Sequence, residues 1–374
     1  MSKFLILGGL GFIGRNLVRY LIDSKVASKI RVADKTVADT ANLSDLFRGY
    51  INHPIVERVQ ANLSNVAHVT RAFKDEQFDY IINLAAETKY GQPDTVYKQH
   101  IVDVAVNVGK EAEKQISCQR FIHVSTAQVY DADKKPSKED SKIKPWTKIA
   151  QFHKQAEDEL KQLNLPIIII RPSAVYGPCD YSGLTPRLVC GAVYKNLNEK
   201  MQFMWTGELK FNTVHVRDVC ASLWYLCNNG NIGEIYNIAD KNDTDQQKIA
   251  DLIAQLFHIQ TGFIGTIQST AARLNMKGVV EDINEKHAEP WAKMLATANM
   301  TSSTLSPYID QELLYNNPLS IDGSKIEKLG FRYEYPLMEL RLLKEVVDGF
   351  IQQGVFPLPE GYARPPPIPP PTFS

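Results

Sequence analysis

Three glycines and an aspartate near the N-terminus have the spacing of a phosphate-binding turn. Gly8, Gly11 and Gly14 form G-x-x-G-x-x-G directly after an apolar run and open a helical pattern that begins near Phe12. This spacing lets the backbone turn tightly, lets a pyrophosphate approach the main chain at the helix N-terminus, and lets helix and strand pack closely. Asp34 ends the second apolar run, at the distance of about 20 residues where a carboxylate can bind a ribose. Together these residues predict a dinucleotide site.

The residues around Asp34 bear on which dinucleotide is bound. A carboxylate accepts hydrogen bonds from ribose hydroxyls and repels a 2′-phosphate, which favours NAD over NADP. Lys35 and Arg15 leave NADP open, because either cation could reach a 2′-phosphate. The alternative interpretation is structural, with three glycines in an ordinary strand-to-helix loop and an aspartate at a solvated strand end.

The first half of the chain alternates short β-rich runs with helical patterns. Runs that are apolar on both faces, each separated from the next by a helical segment, are typical of a parallel sheet covered on both sides. We therefore predict an α/β fold, a Rossmann-type doubly wound parallel sheet with a smaller C-terminal substrate lobe. The predicted strands are Lys3–Leu7, Ile30–Asp34, Ile55–Gln60, Asp79–Leu84, Phe121–Ser125 and Ile167–Arg171.

After Pro172 the alternation becomes irregular, which predicts a discontinuous domain arrangement. A helix and strand at 212–226 and 234–239 are expected to return to the sheet, so residues 1–175 and 211–255 form the NAD(P)-binding domain. Residues 176–210 and 256–355 form the small lobe, where helical patterns at 246–257 and 337–352 flank a poorly patterned middle. Residues 356–374 are a Pro-rich tail of polyproline type.

The motifs taken together resemble those of a known family, the extended short-chain dehydrogenases/reductases of the NAD-dependent epimerase/dehydratase type. The resemblance covers most of residues 1–255. It implies that Phe12 and Ile13 belong to the phosphate turn, that Asn62 and Leu63 lie near the adenine, and that Asn107 is a buried helix residue bracing the site. It also implies that Ala85 and Ala86 line the cofactor. The matching segments are GGLGFIG, RVADK, QANLSN, NLAAET, VAVNVGKEA, STAQVY, RPSAVYGP, VHVRDVCASL and IYNIAD.

The resemblance implies a catalytic set of Ser or Thr, Tyr and Lys, in which the tyrosine and the lysine are spaced Y-x-x-x-K. Thr126 occupies the hydroxyl position, and Lys154 is the candidate for the lysine, which would also contact the nicotinamide ribose. No register of KPWTKIAQFHKQAEDEL places tyrosine and lysine together. With Lys154, His153 or Lys148 at the lysine position, the tyrosine position is Ala150, Ile149 or Lys144. With Trp146 at the tyrosine position, the lysine position is Ala150. Another proton donor, a different chemistry and nucleotide binding without turnover all remain open. The substitute donors are Tyr90, Tyr130, Tyr176 and His153.

Substrate-binding signals of the family are also absent. In dehydratases of this family the segment matching STAQVY has a pattern like S-T-D-E-V-Y, with an acidic pair directly after the threonine. Ala127 and Gln128 occupy those two positions here, so sugar dehydration is not expected. The arginine that clamps nucleotide diphosphates in the family corresponds to Phe211, with Arg187 and Lys210 as weak replacements. An asparagine at position 212, ahead of VHVRD, is more similar to the pattern of the hydroxysteroid or aldehyde-reducing branches of the family than to that of the sugar branches.

Composition limits the partners and the compartment. The 374 residues carry 42 basic and 42 acidic side chains, so no net charge attracts nucleic acid or an anionic membrane. The five cysteines contain no C-x-x-C pair, which excludes a disulfide framework or a zinc site from sequence and favours a reduced, cytoplasmic location. We expect no metal and no membrane span, a small-molecule substrate, and a homodimer or larger assembly.

The Pro-rich tail gives the second functional hypothesis. Residues 364–371 have the composition of a segment that docks an aromatic-lined groove, and the alternative is an unstructured end or a strap along the protein's own surface. The first hypothesis, based on the glycine turn and the missing tyrosine, is an NAD(P)-binding member of the family with a degenerate or altered catalytic site, oxidoreductase-like if active. The second is a structural pseudoenzyme of a larger assembly, with the Rossmann domain as scaffold and the tail as tether.

Overall fold

The computed structural model describes residues 1–369, 371 and 373, and is built on a seven-stranded parallel sheet. The strand order is β10-β6-β5-β4-β1-β2-β3, and each neighbouring pair is parallel. All six predicted strands are confirmed. The sheet strands are β1 (Ser2–Leu7), β2 (Ala27–Asp34), β3 (Val56–Gln60), β4 (Tyr80–Asn83), β5 (Arg120–Val124), β6 (Ile167–Pro172) and β10 (Ile235–Ile238).

Helices cover both faces of the sheet, because its central strands are apolar on both sides. Phe4–Leu7 of β1 are fully buried. One face packs against α1 (Phe12–Asp23), α2 (Asp45–Ile51) and α8 (Val216–Asn229). The opposite face packs against α3 (Val66–Phe73), α4 (Asp94–Tyr97), α5 (Val104–Ala112) and α6 (Lys148–Leu160), with a π-helical stretch, Lys98–Asp103, joining α4 to α5. The predicted doubly wound α/β fold is confirmed.

The chain returns to the sheet after a first excursion, as the sequence predicts. The short strands β7 (Ala174–Tyr176) and β9 (Thr213–His215) pair in parallel, α8 follows, and β10 adds to the edge of the sheet beside β6. His215 begins α8 by accepting a hydrogen bond from the Arg217 amide at 3.3 Å. The carboxylate of Asp218 accepts the amides of Glu334 and Tyr335 at 2.8 and 2.9 Å, which ties α8 to the distant C-terminal region.

A second hydrophobic core lies between α7 (Thr185–Leu197), α9 (Gln246–Phe257) and α13 (Leu340–Gln352). The short strands β8 (Met201–Phe203) and β11 (Thr261–Phe263) pair beside it, and α12 (Ser324–Lys328) lies near β10. The poorly patterned middle contains two helices that the sequence does not predict, α10 (Gly265–Arg273) and α11 (Met276–Thr297). They escape pattern analysis because apolar side chains such as Ile267 and Leu274 are exposed, at 88% and 91%.

The Pro-rich tail lies along the protein's own surface, the arrangement that the strap alternative describes. The Tyr362 hydroxyl donates to Asp348 Oδ1 at 2.9 Å, and Gln352 Nε2 donates to the Pro366 carbonyl. The Phe373 ring packs edge-on against Tyr50, with ring centroids 5.3 Å apart. Positions 370, 372 and 374 of the predicted tail lie outside the described residues. Within the described part of the chain, no helix is both long and apolar enough to cross a bilayer.

Candidate functional site

A cavity of about 540 Å³ opens at the carboxyl ends of the central strands. In parallel α/β sheets this edge is where ligands bind, because the loops after neighbouring strands diverge there. The glycine turn after β1, the end of β2, and the loops after β3 and β4 all contribute. The predicted cofactor residues that line the cavity are Gly8, Gly11, Phe12, Ile13, Gly14, Asp34, Lys35, Asn62, Leu63, Ala85 and Ala86.

The glycine turn has a geometry that side chains would destroy. Gly8 has a φ of +78°, and a Cβ at Gly14 would lie 2.4 Å from the Gly8 carbonyl oxygen. Gly11 is the N-cap of α1, and the described residues provide no side-chain cap for this helix end. The first amides of α1 therefore keep their hydrogen-bonding capacity and the positive end of the helix dipole faces the cavity, as a bound pyrophosphate requires.

Asp34 is positioned by the turn that it faces. Its Oδ2 accepts the Leu10 amide at 3.0 Å, and its Oδ1 accepts the Thr36 amide at 3.0 Å. These bonds fix the carboxylate at the rim of the cavity and leave further lone pairs for the two hydroxyls of a ribose.

Of the two cations that left NADP open, Arg15 lines the cavity but donates mainly to the backbone. It is 5% exposed, and its guanidinium donates to the carbonyl oxygens of Leu10, Gly11, Ala41 and Asn42. These bonds hold the turn against the loop of residues 41–42. Lys35 is exposed at the cavity rim and keeps that role open.

The loop after β3 is braced from α5. Asn62 Oδ1 accepts the Ser64 amide at 3.2 Å, and Leu63 is buried beside it. Asn107 donates to the carbonyls of Leu63 and Ser64 at 3.4 and 3.2 Å. The expected bracing role of Asn107 therefore has a structural basis, although the side chain is half-buried rather than buried.

The structure does not bring Lys154 to the cavity. The Lys154 ammonium forms an ion pair with Asp158 one turn further along α6, and Lys154 is absent from the cavity lining. Ile149 and His153, which are 7% and 6% exposed, are among the buried residues of α6, with Ala150, Ala156, Glu157 and Leu160. His153 lies beside His123 of β5, with ring centroids 6.2 Å apart. The register that pairs Ile149 with His153 has both of its positions buried, and it contains neither tyrosine nor lysine.

Thr126 has a local structural contact and is also absent from the cavity lining. Its hydroxyl accepts the Gln128 amide at 3.2 Å and caps the short 3₁₀ turn Ala127–Val129. Gln128 Oε1 accepts the Thr147 hydroxyl at 2.9 Å, and its Nε2 donates to the Tyr90 hydroxyl at 3.1 Å. This amide network fixes the start of α6.

The substitute proton donors are held in environments that suppress ionisation. Burial raises the pKa of Tyr90 to about 12 and that of Tyr130 to about 12. The Tyr130 hydroxyl donates to Asn237 Oδ1 at 2.7 Å and accepts from Arg171 at 2.9 Å, so it is committed to the core. Burial also raises the pKa of Tyr176 and lowers that of His153 to about 4.

A distant segment covers the start of α6. Thr304 lines the dinucleotide cavity, and further along the same segment Glu312 Oε2 accepts the Lys148 amide at 2.7 Å. A carboxylate at this position satisfies a free amide of the helix end and interacts favourably with the helix dipole. The chain's own segment therefore occupies the N-terminal end of the helix on which the family places its tyrosine.

Several cavity residues lie outside the motifs from which the site was predicted. They come from loops and from a π-helical stretch far along the chain, so only the fold brings them together. Asn42 is marked by a φ of +49°, but nothing in the sequence connects it with the glycine turn. The additional lining residues include Asn42, His100, Tyr181, Ser182 and Thr304.

Comparison with known proteins places the chain in a family. Residues 4–239 match the profile of the NAD dependent epimerase/dehydratase family, which spans more than half of the chain. The chain belongs to this family. The predicted resemblance is thereby confirmed, and so, at the level of the family, is NAD as the cofactor.

Curated relatives of this family member are sugar-nucleotide enzymes. A dTDP-D-glucose 4,6-dehydratase of Dictyostelium discoideum is 28% identical over 282 residues, covering 68% of this chain and 62% of that protein. The human dTDP-D-glucose 4,6-dehydratase is 25% identical over 302 residues, covering 76% and 79%. This chain thus spans less than two thirds of the Dictyostelium protein. Asn212, from which the sequence suggests the hydroxysteroid or aldehyde-reducing branches, is a buried residue whose Oδ1 accepts the Ile321 amide at 2.7 Å.

Solved structures share the fold across nearly the whole chain. Bordetella bronchiseptica WbmG, in complex with NAD and UDP, has a TM-score of 0.68 at 16% identity, covering 97% of this chain and 99% of that one. UDP-glucuronic acid 4-epimerase from Bacillus cereus, in complex with UDP-glucuronic acid and NAD, has a TM-score of 0.68 at 18% identity, covering 94% and 99%.

Proposed function

We propose that this protein binds NAD in the cavity above the glycine turn and lacks the tyrosine–lysine proton transfer of its family. One contrast carries the proposal. The turn, the Asp34 carboxylate and the braced adenine-side loop form an open cavity, whereas no register of the α6 sequence contains a tyrosine and a lysine four residues apart, and Lys154 pairs with Asp158.

The size of the missing contribution argues against an ordinary family enzyme. A positioned general acid or base contributes about 10²- to 10⁴-fold, or roughly 3 to 5 kcal/mol of barrier. Tyr90 has a pKa of about 12, raised by burial, and the Lys154 ammonium, which would lower a tyrosine pKa, is paired with Asp158. The dehydratase names of the relatives do not carry over, because Gln128 fills an acidic position of their motif and its amide holds Thr147 and Tyr90.

A thermal-shift titration with NAD, NADH, NADP and NADPH tests the binding half of the proposal. Ligand at 100 times its dissociation constant stabilises the folded state by about 2.7 kcal/mol. Gly11→Ala should abolish the NAD shift, because Gly11 lines the cavity where the backbone must approach the ligand and its added Cβ would lie 3.1 Å from the Gly8 carbonyl oxygen. The φ of −70° at Gly11 itself suits alanine. Gly349→Ala is the matched control, since a Cβ there has nothing within 4 Å.

Two results would contradict the proposal. No shift with any of the four nucleotides would remove NAD binding and leave the structural scaffold hypothesis. Turnover of dTDP-glucose or UDP-glucuronic acid by the NAD-loaded protein would show an oxidoreductase-like enzyme with an unrecognised proton donor. We expect an NAD shift in the wild type and no product from either sugar nucleotide.

A further inference from the structure

The Pro-rich tail is anchored at two places, and the first anchor is on α13. The Tyr362 hydroxyl donates to Asp348 Oδ1 at 2.9 Å, and Lys344 Nζ lies 5.1 Å from the centroid of the Tyr362 ring. Gln352 at the end of the same helix donates to the Pro366 carbonyl. Because α13 is part of the second hydrophobic core, the start of the tail is attached to that core.

The second anchor is on α2, which packs on the parallel sheet. Pro371 approaches Gly49 so closely that a Cβ at Gly49 would lie 2.4 Å from Pro371 Cγ. The Phe373 ring lies edge-on to Tyr50 and His53, with ring centroids 5.3 and 4.5 Å apart. Tyr50 is buried in the core between α2 and the sheet. The tail therefore connects the second core to the Rossmann sheet.

Both anchors lie next to segments that form the rim of the dinucleotide cavity. Residues 40–42 line the cavity, and Ser44, two residues further on, is the N-cap of α2. Gln353, the residue after α13, donates to the Asn42 carbonyl at 2.6 Å, and the Tyr181 hydroxyl donates to the same oxygen at 3.1 Å. The second core and the loop before α2 thus meet at this rim.

The cavity also has lining residues on the side of the second core. Tyr181 and Thr304 line it, and the Tyr181 ring packs 5.0 Å from the ring of Phe350 in α13. Beside Thr304, the Ser303 hydroxyl donates to the Val355 carbonyl at 2.5 Å, just beyond α13. A dinucleotide in this cavity therefore lies between two walls that are fixed to different cores, and the tail spans the same two cores.

We infer that the docked tail is a strap that holds the two walls together around the dinucleotide, so that tail docking and NAD binding strengthen each other. The inference rests on the proposed NAD binding. The tail residues that the structure describes do not line the cavity, so the docked tail does not compete with the ligand. Holding both walls in the bound arrangement lowers the cost of binding, and by linkage the ligand favours tail docking by the same factor.

Calorimetric titration of the full chain with NAD tests the inference. Phe373→Ser removes the ring that packs on Tyr50 and His53, and it should raise the dissociation constant for NAD about fivefold or more. Ile368→Ser is the matched control and should leave the dissociation constant unchanged. Ile368 and Phe373 are 45% and 44% exposed, but Ile368 lies between the two anchors.

The reciprocal effect gives a second measurement. At low protease concentration, chymotryptic cleavage after Tyr362 follows the fraction of molecules with a detached tail. Saturating NAD should slow this cleavage in the wild type by about the factor by which Phe373→Ser weakens NAD binding. Gly11→Ala, which should not bind NAD, should show no protection of the tail.

The outcomes separate the strap from the proposed function. Equal dissociation constants for the wild type and Phe373→Ser would overturn the strap alone, because NAD binding itself would stand. Tighter binding in Phe373→Ser would also overturn it, since the docked tail would then obstruct the cleft. No NAD binding by the wild type would overturn the proposed function and the strap together. A Tm of Phe373→Ser within about 1 °C of the wild type shows that the change is not a loss of fold.

Discussion

Removal of one partner from the buried pair of Arg171 and Glu157 should strongly destabilise the Rossmann domain. Arg171 Nε donates to Glu157 Oε1 at 2.9 Å, a second guanidinium nitrogen contacts Oε2, and the two side chains are 2% and 0% exposed. The pair joins α6 to β6. Glu157→Gln leaves the Arg171 charge without a counter-ion, which should cost about 3 to 5 kcal/mol.

The expected change in Tm follows from the chain length. An unfolding entropy of about 2.1 cal/mol/K per residue gives roughly 0.8 kcal/mol/K for 374 residues. Glu157→Gln should therefore lower the Tm by about 4 to 6 °C in a calorimetric scan. Glu159→Gln, on the exposed face of the same helix, is the control and should change the Tm by less than about 1 °C.

A double variant separates the pair from its surroundings. Glu157→Met with Arg171→Met removes both charges, so it should be less destabilising than Glu157→Gln alone.

The pH dependence of the stabilisation by this pair has a defined sign. Burial raises the pKa of Glu157, but hydrogen bonds and charge from Arg171 outweigh it and the pKa is lowered overall. The stabilisation is thus present above the unfolded-state pKa and is lost as pH falls through the folded-state pKa. Equal Tm values for Glu157→Gln and Glu159→Gln would refute this reasoning.

Three further predictions concern other positions. Gly14→Ala should prevent folding of the phosphate turn and abolish NAD binding in a thermal-shift assay, because its Cβ would lie 2.4 Å from the Gly8 carbonyl oxygen. Gly49→Ala should displace the tail, since its Cβ would lie 2.4 Å from Pro371 Cγ, while α2 gains helix propensity of about 1 kcal/mol. Faster chymotryptic cleavage of the tail after Tyr362, at an unchanged or raised Tm, would show this displacement. Burial raises the pKa of Asp240 to about 7, so the folded state binds the extra proton and stability falls as pH rises from about 4 to 7; Asp240→Asn should flatten that decrease in chemical denaturation series.

The phosphate turn and the sheet could be predicted because their signals are local. Gly8, Gly11 and Gly14 lie within one turn of chain, and strands buried on both faces are apolar throughout. The register of α6 could not be predicted, because it depends on which residues face β5. In the structure His153 lies beside His123, whereas the neighbouring Lys154 pairs with Asp158 one turn further along the helix.

The remaining cavity residues depend on contacts between distant segments. Asn42 reaches the rim because Arg15, Tyr181 and Gln353 all donate hydrogen bonds to its carbonyl oxygen. No spacing in the sequence connects these four positions.

The tail contacts have a consequence for any protein that recognises polyproline. Such a partner competes with an intramolecular occupant, because Pro371 packs on Gly49 and Phe373 packs on Tyr50 and His53. Only the fraction of molecules with a detached tail can bind, and the apparent dissociation constant rises in inverse proportion to that fraction. A free peptide of residues 356–374 should therefore bind a polyproline-recognising domain more tightly than the intact protein does, which makes the folded body an inhibitor of its own C-terminus.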